Sequence, residues 1–137
     1  MSDVLRDLSN ESGFMRAAGL HLTDVSGSRV TGWIDLHSEH HTPWGVVHGG
    51  ALATAVETAA SIGASAAVRD RGEFAIGVHN ATDFLRPMTH GRVEVVATPL
   101  FQGRTQQLWE VVISRADDGK TVARGQLRLQ NVPLPDA

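Results

Sequence analysis

Glu57 is the residue whose surroundings ask for an explanation. It is the only charged side chain between His48 and Arg69, inside the run Ala51-Leu52-Ala53-Thr54-Ala55-Val56-Glu57-Thr58-Ala59-Ala60-Ser61-Ile62. A carboxylate on a buried apolar helix is costly unless it is paired or neutralised. Desolvation there lifts its pKa toward the range useful for proton transfer. The other reading is that Glu57 lies on one exposed stripe, or pairs with a buried arginine. Helical spacing adds partners. Gly50 and Glu57 are seven apart, and Glu57 and Ser61 four apart, so at 3.6 residues per turn the three share a face. Gly49-Gly50 falls at the predicted helix start, where unsatisfied N–H groups and the helix dipole favour negative charge. Glycine there lets a ligand approach the backbone closely. A donor for a developing oxyanion on the same helix as a carboxylate suits acyl transfer.

These residues need elements to hold them. The alanine-crowded stretch predicts a helix over about 49–68, apolar on nearly all sides and therefore expected to be buried. Residues 2 to 17 carry apolar positions at Val4, Leu5, Leu8, Phe14 and Met15, which fits a short helix with a turn near Ser12-Gly13. Strands are predicted over about 20–25 and 29–36, with Ser26-Gly27 as the turn, and over 74–85, 92–101, 106–114 and 121–131. Asp117-Asp118-Gly119 carries the Asp-Gly hairpin signal. In the last strand Ala123, Leu127 and Leu129 fall on one face, and Arg124, Gln126, Arg128 and Gln130 on the other. Helix, two strands, long apolar helix and four strands make an α+β arrangement in which an antiparallel sheet wraps around the long helix.

Composition bounds the rest. The 137 residues suit a single domain, 1–137. Apolar residues are 42% and charged residues 20%, ordinary globular usage. The absence of cysteine removes disulfides, thiolate nucleophiles and Cys-ligated metal sites. A net charge of −3 and scattered arginines argue against a nucleic-acid partner. No apolar run approaches the roughly 20 residues of a membrane span, and no signal peptide is evident, so no membrane association and a cytoplasmic location are expected. His37, Glu39, His40 and His41 lack the spacing of a metal frame, and no metal is expected. There is no G-x-S-x-G elbow, G-x-G-x-x-G fingerprint or P-loop.

Pro43-Trp44-Gly45-Val46-Val47-His48-Gly49-Gly50, followed by an acid at Glu57, resembles the hotdog-fold acyl-CoA thioesterases, most closely the phenylacetyl-CoA and 4-hydroxybenzoyl-CoA branches. The resemblance implies a hotdog fold over nearly the whole chain and hydrolysis of an aryl- or medium-chain acyl-CoA to free acid and CoA, with no cofactor beyond the CoA of the substrate. It implies Glu57 as nucleophile or general base, the Gly49 N–H as oxyanion donor, His48 shaping the turn, and Ser61 near the attacking water. Thr42, Trp44, Gly50 and Asn80 fall at positions expected to meet substrate. Thr42 stands where the family often has Asn or Gln, with His41 beside it as the other polar candidate. Asn80-Ala81-Thr82-Asp83-Phe84-Leu85-Arg86-Pro87 is similar to a further family segment, and Arg86, Arg104 and Thr105 are the expected CoA contacts. A homodimer assembling to a homotetramer is also implied. The competing functions are a non-catalytic acyl-CoA binder and an acyl-thioester hydratase or dehydratase.

Overall fold

The structure, a computed structural model, describes residues 12–135. Its centre is a 20-residue helix, α2 (Gly49–Val68), preceded by a short helix α1 (Gly13–Ala18). The strands are β1 (His21–Val25), β2 (Val30–Leu36), β3 (Glu73–Phe84), β4 (Gly91–Gln102), β5 (Gln106–Arg115) and β6 (Thr121–Pro133). They form one antiparallel sheet in the order β1-β2-β4-β5-β6-β3. The sheet curls around α2, which packs against all six strands. This is the expected α+β hotdog arrangement, and strand ends differ from the sequence reading by one or two residues. Ser12 caps α1 by accepting from the Met15 N–H, so the expected turn there is the start of the helix; residues 2–11 of the predicted helix lie outside the described residues.

Alternation places the core. In β5, Gln107, Trp109, Val111 and Ile113 face α2, and in β6 Ala123, Leu127 and Leu129 do the same. Trp109 is fully buried, and its ring tip lies where a Cβ at Gly63 would be, 2.5 Å away, so α2 needs glycine at that point.

Burial of the helix departs from expectation. Leu52, Ala55, Val56, Ala59, Ala60, Gly63, Ala64 and Val68 are buried, but the opposite face is not covered within this chain. Glu57 and Gly50 are exposed on that face. The run Gly49–Arg71 is also long and apolar enough to span a membrane by length and composition, contrary to the sequence reading. Its buried face against the sheet accounts for it as a core helix.

β3 sits at the sheet edge, paired only with β6. The pairing slips at Val78, between Gly77 and His79. Such a bulge inserts one residue and reverses the facing of everything after it. Ala75 and Gly77 face the helix before it; Asn80, Thr82 and Phe84 meet the helix or its neighbours after it. The bulge thus decides which β3 side chains reach α2.

Candidate active site

The N-terminus of α2 has an unequal pair of donors. His48, extended at φ −66° and ψ 131°, caps the helix: its Nδ1 accepts from the Gly50 N–H at 2.8 Å. That fixes the proton of the neutral ring on Nε2. The His48 ring also fills the space a Gly50 Cβ would need, 2.9 Å from Nδ1. Gly50 is therefore a capping position, and its N–H is not available to substrate. The Gly49 N–H has no acceptor among the described residues. It stands at the positive end of a 20-residue helix dipole, where an oxyanion is stabilised.

Gly49 lines a groove of about 330 Å³ with Val47, Leu52, Phe84, Arg86 and Met88 among its walls. A Cβ at Gly49 would meet the Phe84 ring at 2.9 Å, so the glycine admits that ring beside the free N–H. Arg86 lies on the groove wall with its Nη1 donating to the Thr121 carbonyl at 2.7 Å.

The loop before α2 is held firmly. The Val47 N–H donates to the Met88 carbonyl, and the His48 N–H to the His40 carbonyl, both at 2.8 Å. His40 is buried; its Nε2 lies 2.9 Å from the Ala17 carbonyl at the end of α1. Thr42 closes its own turn: its hydroxyl oxygen accepts from the Trp44 N–H at 3.2 Å. His41 holds the neighbouring loop, with Nε2 2.6 Å from the Thr89 carbonyl. Trp44, expected to meet substrate, is 85% exposed and lines neither the Gly49 groove nor the groove beside Glu57 within this chain.

Glu57 faces a second groove of about 410 Å³, lined by Phe14, Met15, Ala53, Thr54, Thr58 and Asn80. Its carboxyl carbon would lie 3.6 Å from a Cβ at Gly77, an ordinary contact distance that puts the carboxylate against β3. The exposed position replaces the expectation of a buried carboxylate. The cause is the uncovered face of α2. Asn80 ties β3 to the helix beside it, donating from Nδ2 to the Ala53 carbonyl at 3.0 Å and accepting from Thr82 Oγ1 at 2.7 Å. Ser61, one turn beyond Glu57, is half-buried. Phe14, Met15 and Thr58 were not expected at the site; the α1 residues carry only a generic apolar signal in sequence.

Distances then separate the expected residues into groups. Gly49 and Glu57 are eight residues apart on one helix, about 12 Å along its axis at 1.5 Å per residue. One thioester carbonyl cannot touch both within a chain. Arg86 follows the end of β3, whereas the turn holding Arg104 and Thr105 lies beside its beginning, where Arg71 Nη2 donates to the Arg104 carbonyl at 3.0 Å. The twelve residues of β3 extend about 40 Å at 3.3 Å each, too far for one nucleotide.

With fold and site in place, comparison with known proteins defines the class. Residues 45–122 match the Thioesterase superfamily. The Mycobacterium tuberculosis protein Rv1847, described only provisionally as an esterase, is 40% identical over 116 residues, 83% of this chain and 82% of that protein. Its solved structure superposes with a TM-score of 0.86 at 38% identity, covering 91% of this chain and all of that one. The proofreading thioesterase EntH of Cronobacter turicensis is 32% identical over 95 residues, 69% of each chain. Thioesterase HI1161 of Haemophilus influenzae superposes with a TM-score of 0.86 at 25% identity, covering 96% and 90% of the two chains. The chain belongs to the Thioesterase superfamily. Its activity is thioester hydrolysis.

Proposed function

We propose that this thioesterase hydrolyses an aryl- or medium-chain acyl-CoA to the free acid and CoA. The thioester carbonyl rests on the Gly49 N–H at the start of α2. Glu57 acts as general base and takes a proton from water; the water oxygen forms the new C–O bond, the C–S bond breaks, and the proton ends on the thiolate. The observation that carries this reading is the pair of donors at the helix start. His48 consumes the Gly50 N–H and leaves that of Gly49 free over an apolar groove.

Because Gly49 and Glu57 of one chain are about 12 Å apart, the working site takes Gly49 from one chain and Glu57 from a second. β3 supports that arrangement. It is an unpaired edge carrying Ile76, Val78 and Phe84 about half exposed, the kind of edge that a folded protein covers. Two copies joined antiparallel along β3 bring the Arg86 end of one strand to the Arg104 end of the other. One CoA then meets Arg86 from one chain and Arg104 and Thr105 from the other. The same contact covers the open face of α2. A homotetramer of two such dimers follows if the outer sheet face, with Val96, Leu108 and Val112 half-buried, pairs as well.

The test is thiol release from a panel of aryl, short, medium and long acyl-CoAs; the protein has no cysteine to add background. Turnover fastest with aryl or medium-chain esters is the expected result. Turnover confined to thioesters without CoA refutes the substrate class.

A further inference from the structure

Among the described residues, Gln107 and Asn131 are two of only three buried polar or charged side chains. Gln107 uses all four of its amide positions. Its Nε2 donates to the Ala64 carbonyl of α2 at 2.9 Å and to Asn131 Oδ1 at 2.8 Å, and its Oε1 accepts from Trp109 Nε1 at 2.9 Å and Gln102 Nε2 at 3.1 Å. Asn131 in turn grips the β4–β5 turn. Its Nδ2 donates to the Gly103 carbonyl at 3.3 Å and the Arg104 carbonyl at 3.2 Å, and its backbone N–H donates to the Thr105 carbonyl at 2.8 Å. Three consecutive turn carbonyls thus point inward to one residue. The side chains of Arg104 and Thr105 are exposed, and the Arg104 guanidinium has no protein partner among the described residues.

A hydrophobic core does not need these amides. Burying polar groups is tolerated only when every one is satisfied, and such a network then holds its parts rigidly. Here the rigid part is a surface turn whose only outward products are a free arginine and a hydroxyl. We infer that Asn131, locked by Gln107, is a positioning residue that fixes the 103–105 turn so that Arg104 meets the nucleotide end of CoA. This rests on the acyl-CoA reading above. The free energy of fixing the turn is then met during folding and not at each binding event, which is where preorganisation gains affinity.

The test compares KM and kcat for benzoyl-CoA and for S-benzoyl-pantetheine, which lacks the nucleotide, in the wild type, Arg104→Ala, Asn131→Leu and the double variant. Wild type should show the lower KM with the CoA ester. Arg104→Ala should raise that KM about tenfold, the scale of one charge-assisted contact. Asn131→Leu should raise it several-fold, leave kcat and the pantetheine ester unchanged, and add nothing to Arg104→Ala. If Asn131→Leu does not fold, Arg71→Lys carries the test on the surface: it keeps the charge and removes the fork that holds Glu73 and the Arg104 carbonyl, 2.6 and 3.0 Å away. Its expected result is a smaller KM rise confined to the CoA ester. An unchanged KM in Asn131→Leu, or in Arg71→Lys where it stands in, overturns the inference. So does an equal rise for both esters, or an Arg104→Ala that behaves as wild type. Wild type that turns over both esters with the same KM refutes the nucleotide contact itself; wild type inactive on both excludes the aryl substrates, and inactivity also on octanoyl-CoA and S-octanoyl-pantetheine, compared in the same way, refutes the acyl-CoA reading.

Discussion

Mixing two inactive variants distinguishes a site built within one chain from a site shared by two. Glu57→Ala removes the carboxylate. Gly49→Pro removes the one free N–H at the start of α2. Proline suits that position: it is the first helical residue, and His48 before it is extended, as the residue preceding a proline prefers. The Phe84 ring, 2.9 Å from the new Cβ, is 54% exposed and can turn aside. Loss of an oxyanion donor costs about 10²–10³ in rate, so each variant alone retains on the order of 1% or less. The magnitude on mixing follows from the 12 Å separation along α2. If the site is shared, equal mixing after denaturation and refolding makes half the dimers mixed. Each mixed dimer holds one intact site, with Gly49 from the Glu57→Ala chain and Glu57 from the Gly49→Pro chain, and one site with both lesions. Activity returns to about one quarter of wild type for a twofold-symmetric dimer. Thiol release on a chosen acyl-CoA reads it. If both groups act within one chain, every site keeps one lesion and mixing restores nothing, a result that excludes the shared site.

Other perturbations follow from the same geometry. Gly63→Ala pushes a methyl to 2.5 Å from the buried Trp109 ring, and urea unfolding should show a loss of about 1–3 kcal/mol. His48→Ala removes the Gly50 cap, and should cost about 1 kcal/mol in the same measurement while lowering turnover. The Lys120 backbone N–H and then the Arg115 guanidinium hold the Asp118 carboxyl below the usual carboxylate range. A value lower in the folded state means that its contribution is present above the ordinary aspartate range, about pH 4, and is lost as pH falls through the folded value. Asp118→Asn should therefore lie below wild type in thermal stability at neutral pH, with the gap closing in strong acid.

Much of the fold was legible because periodicity is a local signal. The alanine run of α2, the alternation of β6 and the Asp-Gly turn each depend on neighbours in sequence. For the same reason, the Gly49-Gly50 to Glu57 spacing placed the start of the helix and the exposed carboxylate on one face of α2. What failed depends on long-range placement. Glu57 was expected to be buried because the whole helix is apolar, but one apolar face is left uncovered by this chain's own sheet. Arg86 and Arg104, both expected at CoA, lie at opposite ends of β3 within one chain, a separation that only the strand pairing reveals. The Val78 bulge, which aims Asn80 and Phe84, is marked in sequence only by the isolated Gly77 before it. Gln107 and Asn131 did have one: each shares parity with core-facing neighbours, Trp109 and Ile113 in β5, Leu127 and Leu129 in β6, so a polar residue there had to be satisfied inside.

Whether Glu57 activates the attacking water is decided by hydrolysis and binding measured together for Glu57→Ala on the best acyl-CoA of the panel. Thiol release should fall by at least two orders of magnitude, the scale of losing a general base, while equilibrium binding of the ester stays near that of wild type. Release that continues at the wild-type rate would contradict the assignment of Glu57 as the group that activates water.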